Sequence, residues 1–120
     1  MPSISVIIST YNKPHFLEKV LTGYCFQTFN DFEIIIADDG SSNETKEMIT
    51  KFEQFIPQKI YHVWHEDNGF RKCKILNAAI VKSSNDYLVF SDGDCIPDSH
   101  FLETHSLSLI HISEPTRPLH

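Results

Sequence analysis

Four short apolar runs, each closed by a polar cluster, punctuate this chain at intervals of about 25–30 residues, the spacing of βαβ crossovers. The run Ile4-Ser5-Val6-Ile7-Ile8 leads into Ser9-Thr10-Tyr11-Asn12, and Phe32-Glu33-Ile34-Ile35-Ile36-Ala37 leads into Asp38-Asp39-Gly40-Ser41-Ser42. Lys59-Ile60-Tyr61-His62-Val63-Trp64 leads into the loop His65-Glu66-Asp67-Asn68-Gly69-Phe70, and Tyr87-Leu88-Val89-Phe90 into Ser91-Asp92-Gly93-Asp94. The second run is nearly continuous in apolar character, as suits a parallel-sheet strand covered on both faces.

Between the runs the period changes from strand to helix. Phe16, Leu17, Val20, Leu21, Tyr24 and Cys25 share one helical face after Pro14, which suits a first turn because the N–H it lacks would be unpaired there. Asn12 or Lys13 stands where that helix begins. A second helix starts near Asn43, turns Met48, Ile49, Phe52, Phe55 and Ile56 inward, and stops at Pro57. A third buries Ile75, Leu76, Ala79 and Ile80. Right-handed crossovers then predict an α/β fold, a Rossmann-like, mostly parallel sheet flanked by helices. In such a sheet the loops after the strands share one rim where ligands bind, so the four polar clusters are expected to converge.

Composition narrows the partners. Ten Lys+Arg against sixteen Asp+Glu give a net charge of −6, which disfavours a nucleic-acid binder with its basic stripe. The apolar runs fall far short of the roughly 20 residues a membrane-spanning helix needs. The N-terminus carries no basic segment or cleavage pattern, so export is not expected. Cys25, Cys73 and Cys95 are odd in number and form no CxxC pair, which fits reduced thiols in a cytoplasmic protein rather than disulfides or a zinc site.

The chemistry concentrates in the clusters. Asp92-Gly93-Asp94 sets two hard oxygen donors either side of a glycine at a strand exit, where a divalent ion could bridge diphosphate oxygens. A solvated turn is the plainer alternative for a lone D-x-D. Asp38 or Asp39 can accept hydrogen bonds from a ribose or a base edge, while Asp39, Ser41 or Ser42 can equally cap the second helix. Neither G-x-G-x-x-G nor a P-loop occurs. Tyr11 offers a ring to stack on a base, or simply packs its loop. Arg71, Lys72 and Lys74 cluster at the start of the third helix; Arg suits a diphosphate, and at least one of the two lysines belongs to a solvated face. His62 and His65 are expected in surface or loop roles, and Cys95 as a small packing residue.

Taken together, Val6–Asn12, Gln27-Thr28-Phe29-Asn30-Asp31-Phe32-Glu33, Asp38–Ser42 and Ser91–Asp94 follow one another at the spacing seen in family 2 glycosyltransferases. Over about residues 3–105 the chain resembles the nucleotide-sugar-binding half of their GT-A fold. The loop Asp67–Arg71, with Asn77, resembles the subset that builds bacterial surface polysaccharides and chondroitin-like polymers. The resemblance implies that Ser9, Thr10 and Tyr11 contact the base, and that Asp39, with Asp38, reads base or ribose. It also implies that Asn68 joins the nucleotide-sugar site and that Arg71, or Lys74, faces the diphosphate. Asp92 would touch ribose or sugar and, with Asp94, hold Mn²⁺ or Mg²⁺. One departure is Leu76, where many relatives carry Arg just before the helix asparagine.

The same resemblance implies inverting transfer from a nucleotide-diphosphate sugar, a UDP-sugar by default, to a saccharide or lipid-linked acceptor. It implies a cytoplasmic protein, peripheral at the inner membrane face. A catalytic base is expected downstream of the chain end, so no catalytic residue is assigned and the 120-residue chain is expected to be an inactive, truncated fragment. The alternatives are a nucleotidyltransferase and a non-catalytic nucleotide-binding α/β module. Residues 1–105 form the expected domain; residues 106–120 match no period, and Leu109–Pro118 resemble a translated sequencing-adapter read-through, so a non-native or disordered tail is expected. Truncation is also expected to leave an unpaired strand edge prone to aggregation.

Overall fold

The computed structural model describes the backbone of residues 3–112 and the side chains of residues 3–108. Strands β1 (Ile4–Thr10), β2 (Phe32–Asp38), β3 (Ile60–Trp64) and β4 (Tyr87–Asp92) alternate with helices α1 (Pro14–Cys25), α2 (Asn43–Phe52), α3 (Lys72–Lys82) and α4 (Phe101–Ile112). The strands form one sheet in the order β3-β2-β1-β4, and every pairing is parallel. The α/β reading therefore holds.

Strand position explains the sequence texture. β2 is central and every one of its residues is buried, whereas the edge strands β3 and β4 mix buried and exposed positions. Val6, Ile8, Ile34, Ile36 and Val89 point to the face covered by α1, α2 and α4, through Leu17, Ile49 and Leu102. Ile7, Ile35 and Ala37 point to the other face, under Ile75 and Ala79 of α3. Burying each such Ile stabilises the fold by ~1.5–3 kcal/mol. The polar residues that interrupt these runs pair with each other: Ser5 Oγ donates to Glu33 at 2.6 Å, and Glu33 also accepts the Ser84 N–H at 2.7 Å.

Several core assignments shift. Phe55 is 77% exposed because α2 ends at Phe52, leaving only Ile56 beyond it to turn inward. Phe16 is 52% exposed, one step around α1 from the buried Leu17, Val20, Leu21 and Tyr24, with Lys13 and Lys19 over its ring. Cys25 is exposed too. Ile80 is 37% exposed, while Ile75 and Ala79 on the same helix are buried against the sheet.

The helix starts are also built differently. Neither Lys13 nor Ser42, the N-cap residues of α1 and α2, makes a side-chain capping bond. Asn12 instead takes a left-handed conformation, φ 48°, and spans both loops. Its Oδ1 accepts the Ser42 N–H and its own N–H donates to Ser41 Oγ, each at 2.7 Å. Left-handed backbone is tolerated by Asn better than by most residues.

Gln27, from the second motif, ties α1 to α4: its Nε2 donates to the Asp98 carbonyl at 2.6 Å and its Oε1 accepts the Leu102 N–H at 3.0 Å. The helix so anchored runs on to Ile112. Ser106 is fully buried one turn beyond Leu102, and its hydroxyl donates to the Glu103 carbonyl. A small polar residue on the inner face is what hides the helical period there. Residues 113–120 of the expected tail lie outside the described residues.

Candidate functional site

Parallel pairing delivers the carboxyl ends of β1, β2 and β4 to one rim, with Ser9 opposite Asp92 and Thr10 opposite Asp38. A cavity of about 560 Å³ opens there. Ser9 and Thr10 line it from the end of β1 with Tyr11 just beyond, Asp39 from the turn after β2, and Asp92 from the end of β4 with Gly93 and Asp94 in the turn that follows. The loop after β3 contributes Asp67, Gly69 and Phe70, while Lys13 and Lys72 bring positive charge. All four polar clusters thus meet at one cleft.

Two glycines permit the close approaches that shape it. The Gly93 N–H donates to the Ser9 carbonyl at 2.7 Å, and a Cβ on Gly93 would sit 2.7 Å from that same oxygen. Gly40 has φ +96°, and a Cβ there would come within 2.5 Å of the Asp67 backbone. The 65–71 loop therefore rests directly on the β2–α2 turn.

That packing sets the electrostatics of the nearer wall. His65 Nε2 lies 2.5 Å from Asp39 Oδ1, and the Arg71 N–H donates to Asp39 Oδ2 at 2.9 Å. Desolvation by burial pushes the Asp39 carboxyl towards its neutral form, but these two bonds, with the charges of His65 and Arg71, outweigh it and hold the pKa below the usual carboxylate value. Asp39 is therefore an ionised acceptor at neutral pH. Across the cleft mouth the Tyr11 hydroxyl donates to Asp67 Oδ2 at 2.6 Å, and this bond, with smaller contributions from desolvation and the Asp67 charge, raises the phenol pKa.

On the opposite wall Ser9 Oγ donates to Asp92 Oδ1 at 3.1 Å, and donor atoms of Asp92, Asp94 and Cys95 all lie within 4.8 Å of one another. Desolvation and the neighbouring Asp94 and Asp92 raise the Cys95 thiol pKa, so the carboxylate oxygens are the available donors at neutral pH. Hard oxygens of this kind suit Mg²⁺ or Mn²⁺.

Of the residues singled out from sequence, Ser9, Thr10, Tyr11, Asp39, Asp92 and Asp94 come together in the cavity wall. Asp38 does not. It is fully buried, its Oδ2 paired with His62 Nε2 at 2.7 Å and its Oδ1 accepting the Ser41 N–H at 2.9 Å, so it holds the turn rather than facing the cleft. Asn68 and Lys74 are exposed and lie outside the cavity wall. The Arg71 guanidinium turns back to the Glu66 carbonyl at 2.7 Å, leaving only its backbone N–H at the site.

Among the described residues the cation paired with the acidic motif is Lys72, whose Nζ is 3.4 Å from Asp92 Oδ1. Lys13 as a site residue and the role of His65 were not read from the sequence, and Asp67 and Phe70 entered only as part of the 67–71 loop; Cys95, expected as a small packing residue, is exposed. A signal existed for His65, which follows a strand end directly, as Asp39 does. Lys72 stood in the basic cluster at the start of α3, where residue type could not separate it from Lys74.

An all-parallel sheet with an acidic, hydroxyl-bearing cleft at its carboxyl rim defines an open α/β protein that takes its ligand at the strand ends. Residues 5–106 match Glycosyl transferase family 2, and the chain belongs to that family. It is 32% identical over 100 residues to an uncharacterized glycosyltransferase of Nostoc, covering 83% of this chain and 30% of that protein. It is 30% identical over 103 residues to the chondroitin synthase of Escherichia coli, covering 85% of this chain but 15% of the synthase. The chain thus spans a third or less of these relatives.

The fold is GT-A. A mannosyltransferase from Pyrobaculum calidifontis, solved with GDP-Man and Mn²⁺, superposes with TM-score 0.78 at 22% identity, covering 96% of this chain and 33% of that one. S. aureus TarS 1–349, solved with UDP-GlcNAc, gives 0.77 at 20% identity, covering 98% and 37%.

Proposed function

We propose that this chain forms the donor-binding half of an inverting glycosyltransferase, which moves a sugar from a nucleoside diphosphate to a saccharide or lipid-linked acceptor in bacterial surface-polysaccharide synthesis. The observation that carries this reading is the meeting of Tyr11, Asp39, Lys72, Asp92 and Asp94 on one cavity in a family 2 chain. Asp39 accepts N–H or O–H donors of the nucleoside, and the Tyr11 ring gives a base an apolar surface. Ser9 and Thr10 contribute hydroxyls beneath it. Lys72, in the cavity wall, supplies positive charge on the diphosphate side.

Asp92 and Asp94 would hold Mn²⁺ or Mg²⁺, which when bound neutralises charge on the departing diphosphate. A uridine nucleotide is the first choice of donor; the neighbours solved with UDP-GlcNAc and with GDP-Man make guanosine the second. The name of the chondroitin synthase relative supports polysaccharide as the product class. We assign this chain donor and metal binding and no catalytic base. No helix among the described residues is long and apolar enough to cross a membrane, and we place the enzyme in the cytoplasm, peripheral to the inner membrane face.

Thermal melting tests the reading. A ligand that binds only the folded state at 100 times its Kd adds about 2.7 kcal/mol, so UDP or GDP with Mn²⁺ should raise Tm by several degrees. Asp94→Asn should abolish the metal-dependent part of that rise. A chain whose melting is indifferent to both nucleotides, with and without Mn²⁺ or Mg²⁺, is not a donor-binding domain.

A further inference from the structure

Both oxygens of the Asp39 carboxylate are engaged by the loop that follows β3, Oδ1 by the His65 ring and Oδ2 by the Arg71 N–H. The loop reaches both because the absent Cβ of Gly40 lets its Asp67 backbone lie on the turn that carries Asp39. From the other side the Asp39 N–H is bonded to the Thr10 carbonyl at 3.1 Å, so the backbone of this residue is already fixed. What remains free is the carboxylate torsion, which is broad and two-fold for Asp. One donor on Oδ2 leaves that plane able to swing; a second on Oδ1 stops it. Each oxygen still keeps a second acceptor direction, and Asp39 is part of the cavity wall.

We propose that His65 is a positioning residue, whose Nε2–H fixes the plane of Asp39 so that its remaining acceptor directions meet the N–H or O–H donors of a bound nucleoside. This deepens the donor-binding reading and rests on it. The neighbouring His62 makes the same kind of bond to Asp38, but that carboxylate is fully buried and closes the turn through the Ser41 N–H. Two similar pairs thus differ in consequence: one holds the fold, the other aims an acceptor into the cleft. Trp64 lies between the two histidines and steadies this strand end, its Nε1–H donating to the Ser41 carbonyl at 3.0 Å.

Calorimetric titration of the full chain with UDP, with GDP and with Mn²⁺–pyrophosphate tests the assignment in His65→Leu, His65→Gln and His65→Asn. His65→Leu should bind the nucleoside diphosphate about tenfold more weakly, the loss expected for one hydrogen bond to a charged group. Its affinity for Mn²⁺–pyrophosphate, which uses the Asp92–Asp94 wall, should stay within about twofold, which a general loosening of the cleft would not allow. His65→Gln should restore nucleotide binding, because its amide nitrogen falls where the imidazole Nε2 does, and His65→Asn, being shorter, should not. Unchanged nucleotide affinity in His65→Leu, or a parallel loss of pyrophosphate, overturns the positioning role. If His65→Leu does not fold, equal affinities in the Gln and Asn variants overturn it. A wild-type chain that binds neither UDP nor GDP overturns the donor-binding reading itself, before any variant is compared.

Discussion

Lys72 Nζ reaches Asp92 Oδ1 at 3.4 Å, joining the first turn of α3 to the carboxyl end of β4 across the cleft. Both side chains are about half exposed, so the pair itself adds at most ~1 kcal/mol to stability. Its interest is positional. Lys72 brings positive charge into the cleft from the first turn of α3, one helical turn before Leu76. Lys72→Ala should leave the melting temperature within a degree or two. It should weaken UDP binding about fivefold at low salt and less at high salt, because exposed charges are screened. Lys74→Ala, changing a residue outside the cavity wall, should do neither. Calorimetry at two ionic strengths separates them, and equal losses in the two variants contradict the placement.

Gly93 predicts a stability effect of a different origin. A Cβ there meets the Ser9 carbonyl oxygen at 2.7 Å and two Thr10 side-chain atoms at 3.2 Å, and the carbonyl belongs to a central strand that cannot retreat. Gly93→Ala should therefore destabilise the chain by ~1–3 kcal/mol, the usual range for overpacking. Because the same contact positions Asp92 and Asp94, binding of Mn²⁺ with UDP should weaken as well. Urea unfolding reads the first effect and calorimetry the second. A variant as stable as wild type would mean that the β4 turn moves freely over Ser9.

The strand-helix alternation, the parallel sheet and the meeting of four loops were legible because each depends on apolar period and strand-end polarity alone. Ser9, Thr10, Tyr11, Asp39, Asp92 and Asp94 could be selected on that basis. Asp38 and Asp39 could not be told apart. One residue separates them, and only the pairing of β2 with β3, which brings His62 to Asp38, turns the first carboxylate inward. Arg71 shows a related limit of residue type. Its side chain satisfies the Glu66 carbonyl within its own loop while its backbone serves Asp39, and residue type says nothing about backbone donors. The continuation of α4 past residue 105 was not legible because Ser106 sits where an apolar residue would have marked the buried face.

The depressed pKa of Asp39 gives a pH dependence with a definite sign. In the unfolded chain the carboxyl titrates near its ordinary value of 3.8, and in the folded chain below that. The unfolded state then binds more protons in this interval, so stability rises with pH through it. The contribution from Asp39 is complete above the ordinary value and is lost as pH falls through the lower folded value. Carbon-13 NMR of the Asp39 carboxyl should show a midpoint under 3.8, and His65→Leu should move it upward by removing a bond to the charged form. A midpoint at or above the ordinary value would mean that burial, not the His65 and Arg71 bonds, governs this group.

The sheet ends on β4, which pairs only with β1 among the described residues. Phe90 on this strand is 54% exposed, on the face shared with α3, and Ile80 and Val81 are exposed on that helix. Parallel sheets normally have both faces covered, and an exposed strand edge offers unpaired N–H and C=O groups to another chain. Apolar surface and an open edge on the same strand favour self-association of the chain as concentration rises. Phe90→Lys places a charge on that edge and should lower the association constant, as read by sedimentation equilibrium. Its effect on unfolding free energy should be small, since a half-exposed side chain loses little burial. Wild-type chain that stays monomeric at high concentration, or a Phe90→Lys variant that associates as strongly, would show that the β4 edge is not the adhesive surface.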